Sequence, residues 1–585
     1  MPEVTFLPDS VTVEMPADAL LLEGARLAGV FIETPCGGRG ACRKCAVKVT
    51  DARGDTYEAL ICQTPAGNGP LTVTLPKPAC GKGKFGDYAD PSKFLYERGT
   101  PFVRGVGITA AAPAPQDGLS DADRLIKAFI TATGRKNAEL PLSVLSDLPV
   151  RLRENDGKTF VHYYAENETA KIISVSGETA YGLAVDIGTT TVALWLVDLN
   201  SADVVFADND YNGQAECGLD VISRINYARK SLPELRERVL GTVNELAATA
   251  CGEAGALPDS VLCVSITGNT TMIHLLLGIV PEHIRLFPYT PAVFRPMAYA
   301  ADKVGILANK EAPVLIAPAV GSYVGGDITA GLLCTSLAAR KDETAKDELI
   351  LFIDLGTNGE IALGNDEFIF ACACSAGPAF EGGGLKYGVR ASDGAIERVM
   401  IDEAGRPETR TIGDAPPIGI CGSGIISAVA EFYRKGVIDQ AGKLTDGSDE
   451  YQLCGGITVC ATDIDNVIRA KGAVFSACQT MLDMVGLSFG DIDMVYVAGG
   501  FGRYLDLTDA RTIGLLPRIP DEKYAFLGNS SVVGAYLALV SEERREKINE
   551  LANRITYVDL SGEPGYMDRY TAALFLPHTD GSLFI

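Results

Sequence analysis

Three cysteines, Cys36, Cys42 and Cys45, stand within ten positions of the chain in the segment CGGRGACRKC. Cysteine sulfurs at such spacing can form disulfides, bind zinc or hold an iron–sulfur cluster. Because no basic segment leads into an apolar one at the N-terminus, we expect a cytoplasmic protein whose fifteen cysteines stay reduced. A zinc site usually has two short cysteine pairs, and only Cys42 and Cys45 form one here. A cluster is therefore favoured, with zinc and inert thiols as the alternatives.

The residues around these cysteines predict a β-grasp ferredoxin. The segment VTFLPDSVTVEM has the alternation of a hairpin, ADALLLEGARLAG has apolar residues at helical spacing, and LTVTLP has the alternation of a closing strand. Glycines at 37, 38 and 40 suit a tight loop whose backbone N–H groups approach cluster sulfurs. The first gap, of five residues, is wider than in plant-type proteins and resembles that of vertebrate-type and bacterial two-iron ferredoxins.

The fourth ligand of a 2Fe-2S cluster is predicted to be Cys62, in the segment EALICQT. Sixteen residues separate Cys45 from Cys62, which is short for this fold, so the intervening loop must be trimmed. Cys80, in KPACGKGKF, is the substitute candidate. It is disfavoured because it lies beyond the last predicted strand.

The charge of the chain disfavours two classes of partner. The formal net charge of −24 disfavours nucleic acids and anionic membrane surfaces, because both would repel the chain. No apolar run approaches the roughly 18 residues that a membrane-spanning helix needs. With 585 residues and 47% apolar content, the chain is expected to form several globular domains.

We predict a multidomain α/β protein with four parts. The ferredoxin-like domain covers 1–78, a linker rich in glycine, proline and charge covers 79–118, a small α+β middle domain covers 119–178, and an ATPase domain covers 179–585. The middle domain is expected to begin with a helix capped by Ser120.

Two similar hairpin patterns occur far apart in the sequence. Residues 181–199, YGLAVDIGTTTVALWLVDL, and 349–365, LILFIDLGTNGEIALGN, each run an apolar strand into an Asp-x-Gly-Thr turn. The matched residues are Asp186, Gly188 and Thr189 in the first copy and Asp354, Gly356 and Thr357 in the second; Thr190 and Asn358 complete the turns. A third strand, DMVYVAGG, ends in Gly499 and Gly500.

Together these segments resemble the superfamily of sugar kinases, heat-shock ATPases and actin, in which two duplicated halves each present a hairpin turn to nucleotide phosphates. The chemistry agrees, since glycine lets backbone amides approach phosphate oxygens, threonine hydroxyls donate hydrogen bonds and aspartates hold Mg²⁺ or its waters. The turn at Gly499 and Gly500 would lie against adenosine. No Walker loop is present.

A closer resemblance covers most of the chain. Segments spread from residue 36 to residue 517 are similar to those of the reductive activators of corrinoid-dependent enzymes. The segments are CGGRGACRKC, DIGTTT, NGQAECGLDVISRINYA, TGNTTMIHLLLGI, SYVGGDITAGLL, DLGTNGEIAL, SAGPAFEGG, GICGSGI, VAGGFGRYLDL and IGLLP.

The resemblance implies a one-electron reduction of inactive Co(II) corrinoid to Co(I) through the 2Fe-2S cluster, made possible by ATP and Mg²⁺. ATP can assist only by favouring one conformational state over another. The implied partners are a corrinoid protein of a methyltransferase system and a low-potential electron donor, either a ferredoxin or a flavoprotein. A homodimer formed through the ATPase domain stays open.

Several residues have two interpretations. Asp327, in VGGDITAG, either orients the attacking water or caps the helix after it, and Glu381 is equally ambiguous. His274 is expected to be a hydrogen-bonded core residue rather than a ligand. Cys372 and Cys374 are expected to be small residues of a buried strand rather than ligands of a second cluster.

Ser375 opens the loop SAGPAFEGGG, which follows the second hairpin pattern closely. One hypothesis is that this loop reaches the partner's corrinoid and that the Ser375 hydroxyl replaces a stronger axial ligand of cobalt. The alternative is a loop that only shapes the nucleotide cleft.

Two other functions stay in competition with reductive activation. One is a small-molecule kinase with a fused redox module, and the other is an electron carrier with a regulatory ATP-binding domain. A kinase should ignore an added corrinoid protein, whereas an activator should turn over ATP faster in its presence.

Overall fold

The computed structural model describes residues 2–7, 11–28, 45–74, 99–115, 117–154, 156–218, 220–338, 347–500 and 505–584. Cys36, Cys42 and Cys80, together with the predicted glycine loop between the first two, lie outside these ranges. Among the described residues, no helix has both the length and the apolar character that crossing a membrane requires.

The N-terminal domain is a five-stranded sheet with one helix. Its elements are β1 (Glu3–Leu7), β2 (Val11–Glu14), α1 (Leu21–Leu27), β3 (Ala46–Thr50), β4 (Thr56–Leu60) and β5 (Leu71–Thr74). The sheet order is β2-β1-β5-β3-β4, in which β1 is antiparallel to β2 and parallel to β5. Val4 and Phe6 of β1 are fully buried and pack with Leu21 of α1. The predicted hairpin, helix and closing strand are confirmed.

The next domain is a four-stranded sheet with two helices. Its elements are β6 (Arg104–Thr109), α2 (Asp121–Thr133), β7 (Asn137–Glu139), α3 (Leu142–Glu154), β8 (Lys158–Glu166) and β9 (Thr169–Ser176), in the sheet order β6-β8-β9-β7. As predicted, Ser120 caps α2, and its side chain accepts a hydrogen bond from the N–H of Asp123.

The prediction of a linker over the whole of 79–118 was wrong at its C-terminal end. Residues 104–109 form β6, which pairs antiparallel with β8 from Arg104 opposite Tyr163 to Thr109 opposite Lys158. Gly105 and Gly107, two of the glycines that indicated a linker, belong to this strand, and a side chain at Gly105 would overlap the Phe160 ring. The middle domain therefore begins before residue 119.

The first half of the ATPase region is built on a six-stranded sheet. Its elements are β10 (Tyr181–Ile187), β11 (Thr191–Asp198), β12 (Val204–Tyr211), α4 (Val221–Glu253), β13 (Val261–Gly268), α5 (Thr270–Leu277), β14 (Tyr299–Ala300), α6 (Ala301–Val304), β15 (Pro313–Ile316) and α7 (Gly326–Gly331). The sheet order is β12-β11-β10-β13-β15-β14.

The second half is larger. Its elements are β16 (Ile350–Leu355), β17 (Gly359–Gly364), β18 (Ile369–Cys374), β19 (Ala395–Ile401), β20 (Pro407–Thr411), β21 (Gly419–Ile420), α8 (Gly422–Arg434), β22 (Glu450–Cys454), β23 (Ile457–Cys460), α9 (Ala461–Met484), β24 (Met494–Ala498), α10 (Leu507–Ile513), β25 (Tyr524–Gly528), α11 (Ser530–Val540), α12 (Glu542–Arg554), β26 (Ile555–Tyr557) and α13 (Tyr566–Ala572). The main sheet has the order β25-β24-β16-β17-β18-β26.

The two main sheets confirm the internal repeat. In each half the first strand, β10 or β16, pairs antiparallel with the next strand along the chain and parallel with a later strand, β13 or β24. The order β12-β11-β10-β13-β15 thus matches β18-β17-β16-β24-β25. Both central strands, β10 and β16, run into the Asp-x-Gly-Thr turn of the repeat. The duplication therefore places two equivalent turns at equivalent edges of two sheets.

Candidate nucleotide site and cluster site

The two hairpin turns meet at one cavity of about 120 Å³ between the halves. Its lining residues are Asp186, Gly188, Thr189, Thr190, Thr191, Asn269, Asp327, Asp354, Gly356, Thr357, Asn358, Glu360, Glu381, Gly499, Gly500, Asn529 and Ser531. The structure thus brings together all the predicted nucleotide-site residues. Ser375, for which the hypotheses were contact with the partner's corrinoid or a loop that shapes this cleft, is exposed and is not among the lining residues.

The carbonyl groups of the first turn are held from behind. Asn212 donates from Nδ2 to the Gly188 oxygen at 2.9 Å and from its backbone N–H to the Thr190 oxygen at 3.0 Å, and Arg224 donates to the Thr189 oxygen. Because a trans peptide points its C=O and the next N–H in opposite directions, these bonds direct the N–H groups of Thr189 and Thr190 away from Asn212 and Arg224. The turn is therefore shaped to donate to an anion.

Arg224 adds positive charge behind this turn. Its side chain is fully buried, and its other hydrogen bonds go to neutral acceptors: the Gly218 carbonyl at 2.8 Å, the Gln214 side-chain oxygen at 3.2 Å and the Met272 sulfur at 3.1 Å. Burial lowers the pKa of Arg224 to about 9, so the guanidinium stays charged at neutral pH. Neutral acceptors satisfy its hydrogen bonds without neutralising its charge, which leaves a field that favours bound phosphate.

Asp186 is the aspartate of the first turn. One carboxylate oxygen accepts from Thr267 Oγ1 at 3.1 Å and the other from Asn529 Nδ2 at 2.9 Å. Burial raises the pKa of Asp186 to about 6, and these hydrogen bonds oppose the rise. Asn529 comes from the second half, so the carboxylate is oriented jointly by both halves.

The tips of the two turns touch each other across the cavity. The hydroxyls of Thr190 and Thr357 lie 2.8 Å apart, and both donate to Oε2 of Glu381, at 3.1 and 2.7 Å. Glu381, which the sequence left ambiguous, therefore faces the nucleotide cavity. Arg390 makes a further contact between the halves. Its guanidinium carbon lies 3.7 Å from the centroid of the Tyr211 ring.

A cluster of buried acids lies at the second turn and beside it in the cavity. Burial, reinforced by repulsion between neighbours, raises the pKa of Asp354 to about 8 and that of Asp327 to about 7. Glu360, paired opposite Asp354 in the sheet, has a pKa raised by the same causes. Like-charged carboxyls that share a site need a cation or protons.

The acid cluster fits a hydrated cation better than a bare one. Among the described residues, no three His, Cys, Asp or Glu side chains stand close enough to enclose a metal ion together. Mg²⁺ normally keeps several waters and binds through one or two carboxylates and the substrate phosphates. The donors present in this cavity fit that mode of binding.

Asp327 lies in the first turn of α7, whose N-cap is Gly325. The alternative in which Asp327 caps this helix was therefore wrong. Its Oδ1 accepts from the Ile328 N–H at 2.9 Å, and repulsion by Asp186 contributes to its raised pKa. Its position in the cavity agrees with the other interpretation, in which it orients the attacking water.

Gly499 and Gly500 line the cavity in different ways. Gly499 has φ of 103°, and a side chain there would overlap the carbonyl of Leu355 at the end of β16. A side chain at Gly500 would meet no described atom within 4 Å. Gly499 is thus required by packing, and only Gly500 has open space into which a side chain could project.

The cluster site can be described for two of the four predicted ligands. Cys45 and Cys62 are fully buried, and their sulfurs lie 3.1 Å apart. Cys45 immediately precedes β3 and Cys62 follows β4, and these strands pair antiparallel from Ala46 opposite Leu60. The hairpin brings its two ends together, which explains the short spacing and favours Cys62 over Cys80 as a ligand.

Comparison with known proteins identifies the parts of the chain that contain the two candidate sites. A family model described as the 2Fe-2S iron-sulfur cluster binding domain matches residues 4–67. A model described as the RACo middle region matches residues 181–340, and one described as the C-terminal ASKHA domain of RACo matches residues 348–585. A solved structure of a reductive activator for corrinoid, iron-sulfur protein is 39% identical, with a TM-score of 0.76 and full coverage of both chains. The chain belongs to the family of reductive activators of corrinoid proteins.

Two curated relatives support this membership. The corrinoid activation enzyme RamQ of Eubacterium limosum is 29% identical over 95% of this chain and 96% of its own length. A Co(II) methylated amine-specific corrinoid protein reductase of Methanosarcina barkeri is 26% identical over 64% of this chain and 73% of its own.

Membership of the family also explains a motif whose role the sequence analysis missed. The motif is the segment NGQAECGLDVISRINYA. It contains Asn212, Gln214 and Arg224, which hold the first hairpin turn. Of the cavity residues, Thr191, Asn269, Glu360, Asn529 and Ser531 were also missed. Glu360 was detectable in principle, because it is the one acidic residue of the otherwise apolar segment GEIALG.

The remaining predictions concern structural residues. His274 accepts from the Ala292 N–H at Nε2, 3.1 Å away, and its Nδ1 lies 2.7 Å from the Thr270 oxygen, so it is a hydrogen-bonded core histidine as expected. Cys372 and Cys374 are buried in β18, where burial raises their thiol pKa values. Protonated thiols in that strand agree with a packing role.

Proposed function

We propose that this protein reduces the Co(II) corrinoid of a partner protein to Co(I) at the expense of Mg-ATP. The observation that carries the proposal is the presence, in one chain, of paired buried cysteine sulfurs and of a duplicated phosphate-binding cleft. The family's relatives include one named as a reductase of a Co(II) corrinoid protein. When bound, the cluster would supply one electron for the reduction of Co(II), and an external donor would replace that electron.

In the cluster domain, Cys36, Cys42, Cys45 and Cys62 would hold a 2Fe-2S centre, which supplies one-electron transfer. The described pair would bind one iron, because sulfurs already in contact need little movement to share a metal. Burial of Cys45 and Cys62 keeps water from that side of the site. The proposed domain limits are 1–78 for this unit and 179–585 for the ATPase.

In the ATPase cleft, the chain's residues would bind the triphosphate. Thr189, Thr190, Thr357 and Asn358 would donate to phosphate oxygens. Gly188 and Gly356, whose N–H groups close the two turns by donating to the oxygens of Thr191 and Asn358, would let the backbone approach the phosphates. Asp186 and Asp354 would hold Mg²⁺ or its waters, and Asp327 would orient the attacking water. Gly499 and Gly500 would border adenosine.

The partners and location follow from the same proposal. A low-potential ferredoxin or flavoprotein would serve as donor, in the cytoplasm, and the ATPase domains of two copies would form a dimer. Ser375, exposed at the end of β18, would approach the partner's corrinoid as a weak axial ligand. Changing Ser375 to Ala should then alter the cobalt spectrum of the complex while ATP turnover without partner stays normal.

The deciding experiment is anaerobic. The iron-loaded protein, a chemical reductant, Mg-ATP and a corrinoid protein from the native host in its Co(II) form are combined, and loss of Co(II) absorbance is followed with ATP turnover. We expect both rates to depend on the corrinoid protein and on ATP. ATP turnover that ignores the corrinoid protein, or a phosphorylated small-molecule product, would contradict the proposal.

A second measurement tests the cluster alone. The purified protein should be red-brown, with about two irons and two sulfides per chain. Changing Cys62 to Ala should bleach it, whereas changing Cys80 to Ala should not. A colourless protein carrying zinc would rule out the electron-transfer step.

A further inference from the structure

A long connection between α5 and β14 exposes large apolar side chains to solvent. We call residues 280–299 the apolar loop. Phe287 is 84% exposed, Met297 73% and Val280 65%, and Leu286, Phe294 and Tyr299 are exposed to a lesser degree. Several large apolar side chains exposed on one segment mark an interaction site rather than ordinary surface.

The apolar loop is held in a fixed shape. Its four prolines restrict the backbone, and Ile284 at its start is fully buried against Val221 and Ile225. Tyr289 takes a left-handed φ of 57°, and its carbonyl accepts a hydrogen bond from Ser322. A strained, anchored backbone of this kind presents its side chains at little entropic cost on binding.

Two routes connect the apolar loop to the nucleotide cavity. On one side the Ala292 N–H donates to His274 of α5, and Asn269, which caps α5, donates to Thr189 Oγ1 at 3.1 Å. The loop and the first phosphate turn are therefore attached to the same short helix.

On the other side the loop contacts the segment that leads into α7. The Ala319 N–H donates to the Phe294 oxygen at 2.8 Å, and the Tyr323 ring lies 6.3 Å from that of Tyr289. This segment continues to Gly325 and Asp327. A change at the cavity that shifts α5 or α7 must therefore also shift the exposed loop.

Charge indicates what kind of surface covers the loop. The chain carries a net charge of −24, yet this segment has two arginines and one glutamate, and the glutamate is paired with Arg229 and Arg285. Arg295 is exposed and makes no hydrogen bond or ion pair with any described residue. A basic side chain beside exposed aromatics complements an acidic partner.

We propose that the apolar loop is the docking surface for the corrinoid protein, which meets it with an acidic rim around an apolar centre. This inference rests on the proposed function. A second copy of the chain fits less well, because a two-fold interface would set the loop against itself and oppose two net-positive surfaces.

The test uses the full-length, iron-loaded protein with Phe287→Ser and Met297→Ser combined. A matched control combines Leu142→Ser and Met567→Ser, which remove side chains of 78% and 64% exposure elsewhere. The Co(II) corrinoid protein of the native host is titrated against each. We expect the loop variant to raise the half-saturating concentration at least tenfold, while ATP turnover without partner and cluster absorbance match wild type.

Arg295→Glu supplies a second arm. It should slow association and weaken the salt dependence of the titration, because it replaces the unpaired cation with an anion. Unchanged half-saturation in both loop variants, with wild-type reduction intact, would overturn the docking inference alone. If wild type itself failed to reduce the corrinoid protein, the proposed function and this inference would fall together. A dimer that becomes monomeric on Phe287→Ser would assign the loop to self-association instead.

Discussion

The two phosphate turns have the same backbone plan but opposite electrostatic surroundings. The first is backed by the buried Arg224, and its Asp186 accepts hydrogen bonds from Thr267 and Asn529. At the second turn, Asp354 is surrounded by Asp327, Asp186 and Glu381, each of which raises its pKa. Duplication has thus supplied two copies of one turn, of which the first has a buried cation behind it and the second lies among buried acids.

The largest effect expected from this difference is at Asp354. Asp354→Ala removes a predicted Mg²⁺ contact and should lower ATP turnover at least about a hundredfold, because the metal neutralises phosphate charge in the transition state. Anaerobic turnover assays with varied Mg²⁺ test this, and the cluster spectrum should be unchanged. If this variant kept the ATP turnover of the wild type, the proposed role of Asp354 in binding Mg²⁺ would be wrong.

Substitution of Arg224 tests the contribution of the buried positive charge behind the first turn. Arg224→Met leaves the carbonyls of Thr189 and Gly218 without their donor and removes the buried charge, so we expect the KM for ATP to rise about tenfold to a hundredfold. Arg236→Met is the control, since Arg236 lies on the same helix and donates to the carbonyls of Leu276 and Val304 instead. Both variants should lose stability, but only Arg224→Met should lose ATP affinity, and Arg224→Lys should recover part of it.

The acids of the second turn also predict a pH dependence of stability in the absence of metal. Burial raises the folded pKa of Asp354 from its ordinary value of 3.8 to about 8, so the folded state binds more protons than the unfolded state between these values. The free energy of unfolding should therefore fall as pH rises through this window, by up to about 1.4 kcal/mol per pH unit. Denaturant titrations in EDTA measure it.

Substitution of each aspartate by Asn separates the two turns. Asp354→Asn should flatten this slope more than Asp186→Asn, because the pKa of Asp186 is raised only to about 6. Equal flattening by the two variants would mean that the turns share one electrostatic environment.

The smallest effect is expected at the glycine turn after β24. Gly500→Val places a side chain in open cavity space and should weaken ATP binding about threefold to tenfold by crowding the nucleoside. Gly499→Val should instead destabilise the fold, since its side chain would overlap Leu355. Thermal melts and nucleotide titrations distinguish the two variants. Equal loss of ATP affinity in both variants, without loss of thermal stability in Gly499→Val, would contradict the different roles given to the two glycines.

Local patterns were enough to predict the turns. Asp186, Gly188 and Thr189 occupy a short hairpin whose chemistry is visible within a few residues, and the repeat at Asp354 shows that a second copy exists. Spacing similarly identified Cys45 and Cys62, although strand pairing was needed to explain why they meet. Ser120 was recognisable as a cap for the same local reason.

Residues that act over long sequence distances were not predictable in this way. Asn529 reaches Asp186 from 343 positions away, and only the packing of α11 between the halves brings them together. Arg224 resembles any polar residue of a helix until its burial is known. Gly105 indicated a linker because a glycine that makes room for Phe160 looks the same in sequence as one that provides flexibility.

The helices α7 and α11 come from opposite halves and cross almost backbone to backbone. A side chain at Gly534 would overlap Ala330, and one at Gly331 would overlap Ser530. A crossing at which glycines bring the helices this close is a natural fulcrum for rotating one half against the other. Atoms beside the fulcrum, such as those of Asp327, move little in such a rotation, whereas parts of the half far from it travel furthest. The chain could thus turn the small displacement that accompanies phosphate release into a large one at its outer surface.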